Sequence, residues 1–151
     1  MKTLLLIVGL ALPSLSWALT MPAAGNYCGT GHLTRLSDGT QQNYTVTTSI
    51  NGTTGAFTTT YTYANGFTYT LDFTITSGAN GTFSVASGRT AAGNGFCIGQ
   101  TCNFDIDYND ANLGALKTSI STTFSENGSI STGHNFTSNT IFQNTMQFCA
   151  R

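Results

Sequence analysis

Phe67-Thr68-Tyr69-Thr70-Leu71-Asp72-Phe73-Thr74-Ile75-Thr76 decides the fold. Phe67, Tyr69, Leu71, Phe73 and Ile75 take every second position, and Thr68, Thr70, Asp72, Thr74 and Thr76 take the others. Successive side chains of a strand point to opposite faces. The stretch therefore reads as one strand with an apolar face and a hydroxyl-bearing face. Its Phe, Tyr, Ile and Thr residues are strand formers in their own right.

The same alternation extends in both directions. Upstream, Tyr44, Val46, Thr48 and Ile50 share one face, as do Phe57, Thr59, Tyr61 and Tyr63. Downstream come Phe83 and Val85, then Phe104, Ile106 and Tyr108 alternating with Asn103, Asp105 and Asp107. Leu116, Thr118, Ile120, Thr122 and Phe124 follow, with shorter strands near Ile130 and from Ile141 to Phe148. Asn51-Gly52, Asn65-Gly66, Asn80-Gly81 and Asn127-Gly128 punctuate these runs. Asn-Gly between alternating segments is a hairpin signal, because both residues tolerate positive φ. Only the piece from Asn109 to Leu116 leaves room for a helical turn. The pattern predicts an all-β, single-domain, antiparallel up-and-down meander of eight to ten strands. A meander with one apolar face hides that face by closing into a barrel, the expected outcome, or by folding over as a β-sandwich.

The N-terminus has a different character. Lys2 precedes an apolar run from Thr3 to Leu12, then Pro13, then small residues at Ser16 and Ala18. These are the regions of a secretory signal peptide, with cleavage expected after Ala18. The run is shorter than the about 20 residues a membrane-spanning helix needs. Residues 1–18 are thus expected to be removed, leaving 19–151 as one all-β domain in a secreted or periplasmic protein.

Charged residues make up only 7% of the chain, against about 25% in ordinary soluble domains. Beyond Ala18 there are four bases, Arg35, Arg89, Lys117 and Arg151, against six acids, a formal charge of −2. So few cations cannot neutralise a phosphate backbone, which excludes nucleic acid as an expected partner. No basic patch is present for an anionic membrane. The 40% hydrophobic content, rich in Phe and Tyr, is that of a folding chain.

The four cysteines are Cys28, Cys97, Cys102 and Cys149. An even number behind an export signal reads as two disulfides, with three pairings possible. Cys97-Ile98-Gly99-Gln100-Thr101-Cys102 holds a Gly-containing turn between strand-like residues, and cysteines facing across a hairpin can meet disulfide geometry. The favoured pairing is Cys97–Cys102 with Cys28–Cys149, the latter tying the start of the domain to its end. One C-x₄-C spacing without a second close pair does not make a zinc site.

Gly25-Asn26-Tyr27 near the start of the domain resembles the Gly-x-Trp of the calycins, the lipocalin-like barrels. Asp107-Tyr108, after Ile106, is loosely similar to their Thr-Asp-Tyr. The size, the meander and a disulfide near the C-terminus fit the same family. The resemblance implies a closed barrel with a cavity for a small apolar ligand. On that reading Tyr61, Tyr69, Phe73 and Phe104 are the candidate ligand-binding residues.

No constellation names a reaction. His32 and His134 are the only histidines, and no Gly-x-Ser-x-Gly turn frames a serine nucleophile. No pair stands out among Asp72, Asp105, Asp107, Asp110 and Glu126 for glycoside hydrolysis. Asp105, Asp107 and Asn109 open a Ca²⁺-loop pattern, but Asp110 stands where Gly is wanted and Leu116 where Glu is wanted. The sequons at Asn43, Asn51, Asn80, Asn127 and Asn135 are glycan acceptors only in a eukaryotic secretory route. The expected function is therefore non-catalytic binding of a small hydrophobic ligand, without a metal or cofactor. Two alternatives remain. One is a surface-interaction protein using its Thr-rich strand face on carbohydrate, protein or ice. The other is a small outer-membrane barrel, disfavoured by short strands, by cysteine pairs and by the ending Cys149-Ala150-Arg151.

Overall fold

The computed structural model describes residues 23–79, 82–86, 91–110 and 114–150. The expected signal peptide and Asn80-Gly81 lie outside the described residues.

Ten strands follow in order: β1 (Gly25–Arg35), β2 (Gln41–Asn51), β3 (Ala56–Tyr63), β4 (Thr68–Ser77), β5 (Thr82–Ala86), β6 (Ala91–Ile98), β7 (Thr101–Asp110), β8 (Gly114–Ser125), β9 (Gly128–Asn135) and β10 (Thr140–Phe148). Each pairs antiparallel with the next, and β1 pairs with β10 from Tyr27↔Phe148 to Arg35↔Thr140. The sheet is a closed up-and-down barrel, not a sandwich. Closure leaves no free edge, the usual liability of a long meander. Asn109 and Asp110 end β7 and Gly114 opens β8, so the described part of the ambiguous piece is strand.

The alternation read in the sequence becomes the two sides of the barrel wall. In β2, Tyr44, Val46, Thr48 and Ile50 are buried and their neighbours are exposed. Val46 is the most deeply buried, at 1%. Phe83, Val85, Cys97, Cys102 and Ile106 form one internal cluster. Tyr27, Ile50 and Phe57 form a second, and Phe73 and Ile75 pack against both. The outer face carries hydroxyls in ranks. Thr145, Thr30, Thr45, Thr62 and Thr68 pair across five neighbouring strands, and Thr47, Thr60 and Thr70 form a parallel rank.

The ladder is steeply staggered. From Arg35 the paired residues run through Thr140, Asn135, Thr118, Ile106, Gly93 and Val85 to Ile75. Ile75 donates its backbone N–H to Gly55 in the turn before β3, near the opposite end of β1. Strand tilt and stagger of this kind let a barrel close with an open interior.

The Asn-Gly signals mark turns, but not all in the expected form. Asn65-Gly66 lies in the β3–β4 turn, with Gly66 at φ 83° and the Asn65 side chain accepting from Phe67 N–H. Asn51-Gly52 begins a longer turn. There Asn51 Oδ1 accepts from Thr53 and Thr54, and Gly55 rather than Gly52 takes the positive φ, 68°. At Asn127-Gly128 the turn residues are Glu126 and Asn127, and Gly128 is already paired with Ser125.

Both expected disulfides are formed. Cys97 and Cys102 are direct cross-strand partners flanking Gly99-Gln100, with Cα atoms 4.0 Å apart. Cys28–Cys149 spans a sequence separation of 121 and links β1 to the residue after β10. Up-and-down order puts both disulfides at one end of the barrel. That end also holds the β2–β3, β6–β7 and β8–β9 turns. The β1–β2, β3–β4 and β9–β10 turns gather at the other.

Candidate functional site

Inward side chains that fill some levels of the barrel leave others open. The result is an internal cavity of about 710 Å³. Its lining includes Arg35, Thr40, Asn65, Phe67, Thr137 and Ser138, from the three described turns at the end opposite the disulfides. No described residue of the turns at the disulfide end belongs to it. Among the described turns the cavity therefore reaches only those at the end opposite the disulfides, and that end is its mouth.

Aromatic rings shape the walls. Phe57 and Phe73 stack with centroids 5.2 Å apart, Tyr44 meets Tyr61 edge-on at 5.4 Å, and Tyr61 stacks on Tyr69 at 6.4 Å. Phe83 and Phe104 meet at 5.8 Å. Inward-facing glycines seat some of these rings. A Cβ on Gly31 would lie 2.6 Å from the Tyr44 ring, and one on Gly95 2.5 Å from Phe83. Tyr61, Tyr69, Phe73 and Phe104, the four residues singled out in the sequence, all line the cavity.

Part of the lining is polar: the alternation had placed Thr48, Thr59, Thr118 and Thr122 on the apolar faces, whereas Ser129, Ser131, Thr140 and Asn144 were missed. Thr48, Thr59, Thr118, Thr122, Ser129, Ser131, Thr140 and Asn144 are buried and line the same space. Most are paired within the wall. Thr48 and Thr59 share a hydrogen bond of 2.9 Å, and Thr122 and Ser131 one of 3.0 Å. Burial pushes the Tyr44 hydroxyl up to about 12, against a weaker opposing effect of a hydrogen bond from Asn144. Burial also raises Tyr27, whose hydroxyl donates to Ala23 O at 2.8 Å. At the mouth, Arg35 and Asp38 form an exposed ion pair of 3.3 Å. Asp38 is held below the ordinary carboxylate value, first by the Thr40 backbone N–H and then by the Thr40 side chain.

The remaining candidates are elsewhere. Asp105, Asp107 and Asn109 stand on the outside of β7, with Lys117 Nζ 3.9 Å from Asp107. Among the described residues no cluster of three His, Cys, Asp or Glu side chains could hold a metal ion. His32 and His134 sit on different strands of the outer face, both half-buried, and His134 packs on Phe136 at 4.3 Å.

Compared with protein-family models, curated proteins and solved structures, the chain matches none. The reading of the site rests on its geometry alone.

Proposed function

We propose that this protein is an exported, non-catalytic carrier that holds a small hydrophobic ligand inside a calycin-like barrel. The observation that carries this reading is the cavity of about 710 Å³ walled by Phe, Tyr, Leu and Ile side chains. Ligand sites are typically 300–1,000 Å³, mostly apolar and largely pre-formed. Two disulfides suit an oxidising compartment outside the cytosol, in agreement with the signal-like N-terminus. Leu36 and Phe67, both exposed on mouth loops, give an apolar ligand a surface to meet first. Native mass spectrometry of the purified protein tests the reading. A co-purifying mass that organic solvent extracts, or saturable uptake of pyrene followed by its fluorescence, supports it. A protein that takes up no apolar probe overturns it.

A second reading has its own observation, the rank of Thr residues across five strands of the outer face. Regularly spaced hydroxyls of this kind suit a neutral hydroxylated surface such as a carbohydrate. Glycan binding that survives blocking of the cavity and is lost in Thr45→Lys supports it. On β1 to β4 the outer face carries Thr, Ser and Asp where a lipid-facing barrel needs an outward apolar band.

A further inference from the structure

The cavity has two unlike walls. β4 to β7 send in Leu71, Phe73, Ile75, Phe83, Phe104 and Ile106. β9 sends in Ser129, Ser131 and Asn135 around Gly133, and its one large apolar residue, Ile130, points outward at 51% exposure. The flanking strands continue this polar strip with Thr118 on β8 and Asn144 on β10.

Two oxygens of the strip stand out. Asn144 Oδ1 and Thr118 Oγ1 find no hydrogen-bond partner among the described residues, although the two residues are only 4% and 5% exposed. A buried polar atom without a partner is costly, and such atoms are rare in folded proteins. Both residues line the cavity, and a side-chain rotation would turn either oxygen to a ligand held there, which could then supply the missing partner.

We infer that the ligand is amphipathic: its apolar face lies against β4–β7, and a hydroxyl or N–H group on its opposite edge donates to Asn144 Oδ1 or Thr118 Oγ1. This rests on the interior-binding reading above and narrows it to donor-bearing hydrophobic molecules. A pure hydrocarbon would leave both oxygens unpaired and bind less well. A carboxylate could accept from the Thr118 hydroxyl but would bring only acceptor oxygens to Asn144 Oδ1, leaving that oxygen unpaired.

The test uses two probes with the same ring system, pyrene and 1-pyrenemethanol, and the purified full-length protein. Fluorescence titration should show 1-pyrenemethanol binding about tenfold more tightly, as expected for a donor that satisfies a buried acceptor. Asn144→Leu or Thr118→Val, whichever oxygen accepts the bond, should bring the two affinities together while pyrene binding changes little. Equal affinity of both probes for the parent protein would overturn the inference and leave the cavity reading standing; so would a bridging water that already satisfies the two oxygens, because it gives that same equality. A preference that persists in both variants overturns the assignment to these oxygens. If neither probe binds the parent, it is the interior-binding reading that fails. The parent comparison is decisive even where a variant does not fold.

Discussion

Gly95 and Tyr44 show how single residues set the wall of this barrel. A Cβ at Gly95 would lie 2.4 Å from Asn103 O, 2.5 Å from Phe83 Cζ and 2.6 Å from Phe104 Cβ. The Phe83 ring can turn aside, but the backbone oxygen of the paired strand cannot. Gly95→Ala is expected to cost about 1–3 kcal/mol, as overpacking does. Urea unfolding checks this, and a change below experimental error would mean that β6 and β7 separate easily. Tyr44 is a pH-sensitive group of the interior. Its folded value, about 12, lies above the ordinary 10.0, because burial disfavours the phenolate. The stabilising contribution is therefore complete below pH 10 and is lost as pH rises from 10 towards 12. Tyr44→Phe should flatten the decline of stability over that window. An absorbance titration should lose the tyrosine that ionises near 12.

At the scale of elements, pairing decides what parity alone leaves open. Thr48 and Thr59 share the faces of Val46 and Phe57, so their burial was legible in the alternation. What the alternation did not display was that they bond each other across β2 and β3. Thr48 also donates to Met146 Sδ at 3.4 Å. Thr48→Val strands the Thr59 hydroxyl, whereas Thr59→Val leaves Thr48 its sulfur partner. The first is expected to cost about 1–3 kcal/mol, the second less, and the double variant less than their sum. Thermal unfolding of the three variants tests the order.

β9 shows where legibility ended. A lone Ile130 in a Ser-rich strand invites placement inside. However, the two-residue turn at Glu126-Asn127 pairs Ser129 with Phe124 and Ile130 with Thr123. Leu116, Ile120 and Phe124 hold the inner face of β8, so the register turns Ile130 out and Ser129 and Ser131 in. One isoleucine cannot outweigh three large apolar residues on the neighbour. The polar strip of the cavity is a product of register, which no single segment encodes. The aromatic lining was legible because Tyr61, Tyr69, Phe73 and Phe104 lie on strands whose own alternation is strong.

The disulfides belong to the seam and to a hairpin, and they differ in consequence. Cys97–Cys102 closes a separation of 5 and Cys28–Cys149 one of 121. In the chain-entropy account these restrain the unfolded chain by about 2 and about 5 kcal/mol. Replacing Cys28 and Cys149 by Ser should therefore lower the denaturation midpoint more than replacing Cys97 and Cys102. Equal losses in urea would count against that account. The larger loop is also the one whose ends meet at β1 and β10, the pairing that turns the meander into a barrel.

For the molecule as a whole, closure and cavity are two sides of one arrangement. The staggered ladder gives the barrel its open interior, the disulfides lie at one end, and the cavity reaches the loops at the other. A carrier built this way should keep its fold when the cavity is filled, because the wall is held by ladder bonds and by the two internal clusters rather than by the contents. Leu71 tests that separation. It lines the cavity from β4, is only half-buried, and pairs with Thr59. Leu71→Trp places a ring in free volume instead of in a packed core, so the usual cost of overpacking should not apply. The expected outcome is an unchanged or higher melting temperature together with a loss of 1-pyrenemethanol affinity of more than tenfold. A variant that melts earlier would show that the interior is filled in solution. A stable variant that binds the probe as before would place the binding site outside the barrel, on a surface such as the Thr ranks of β1 to β4.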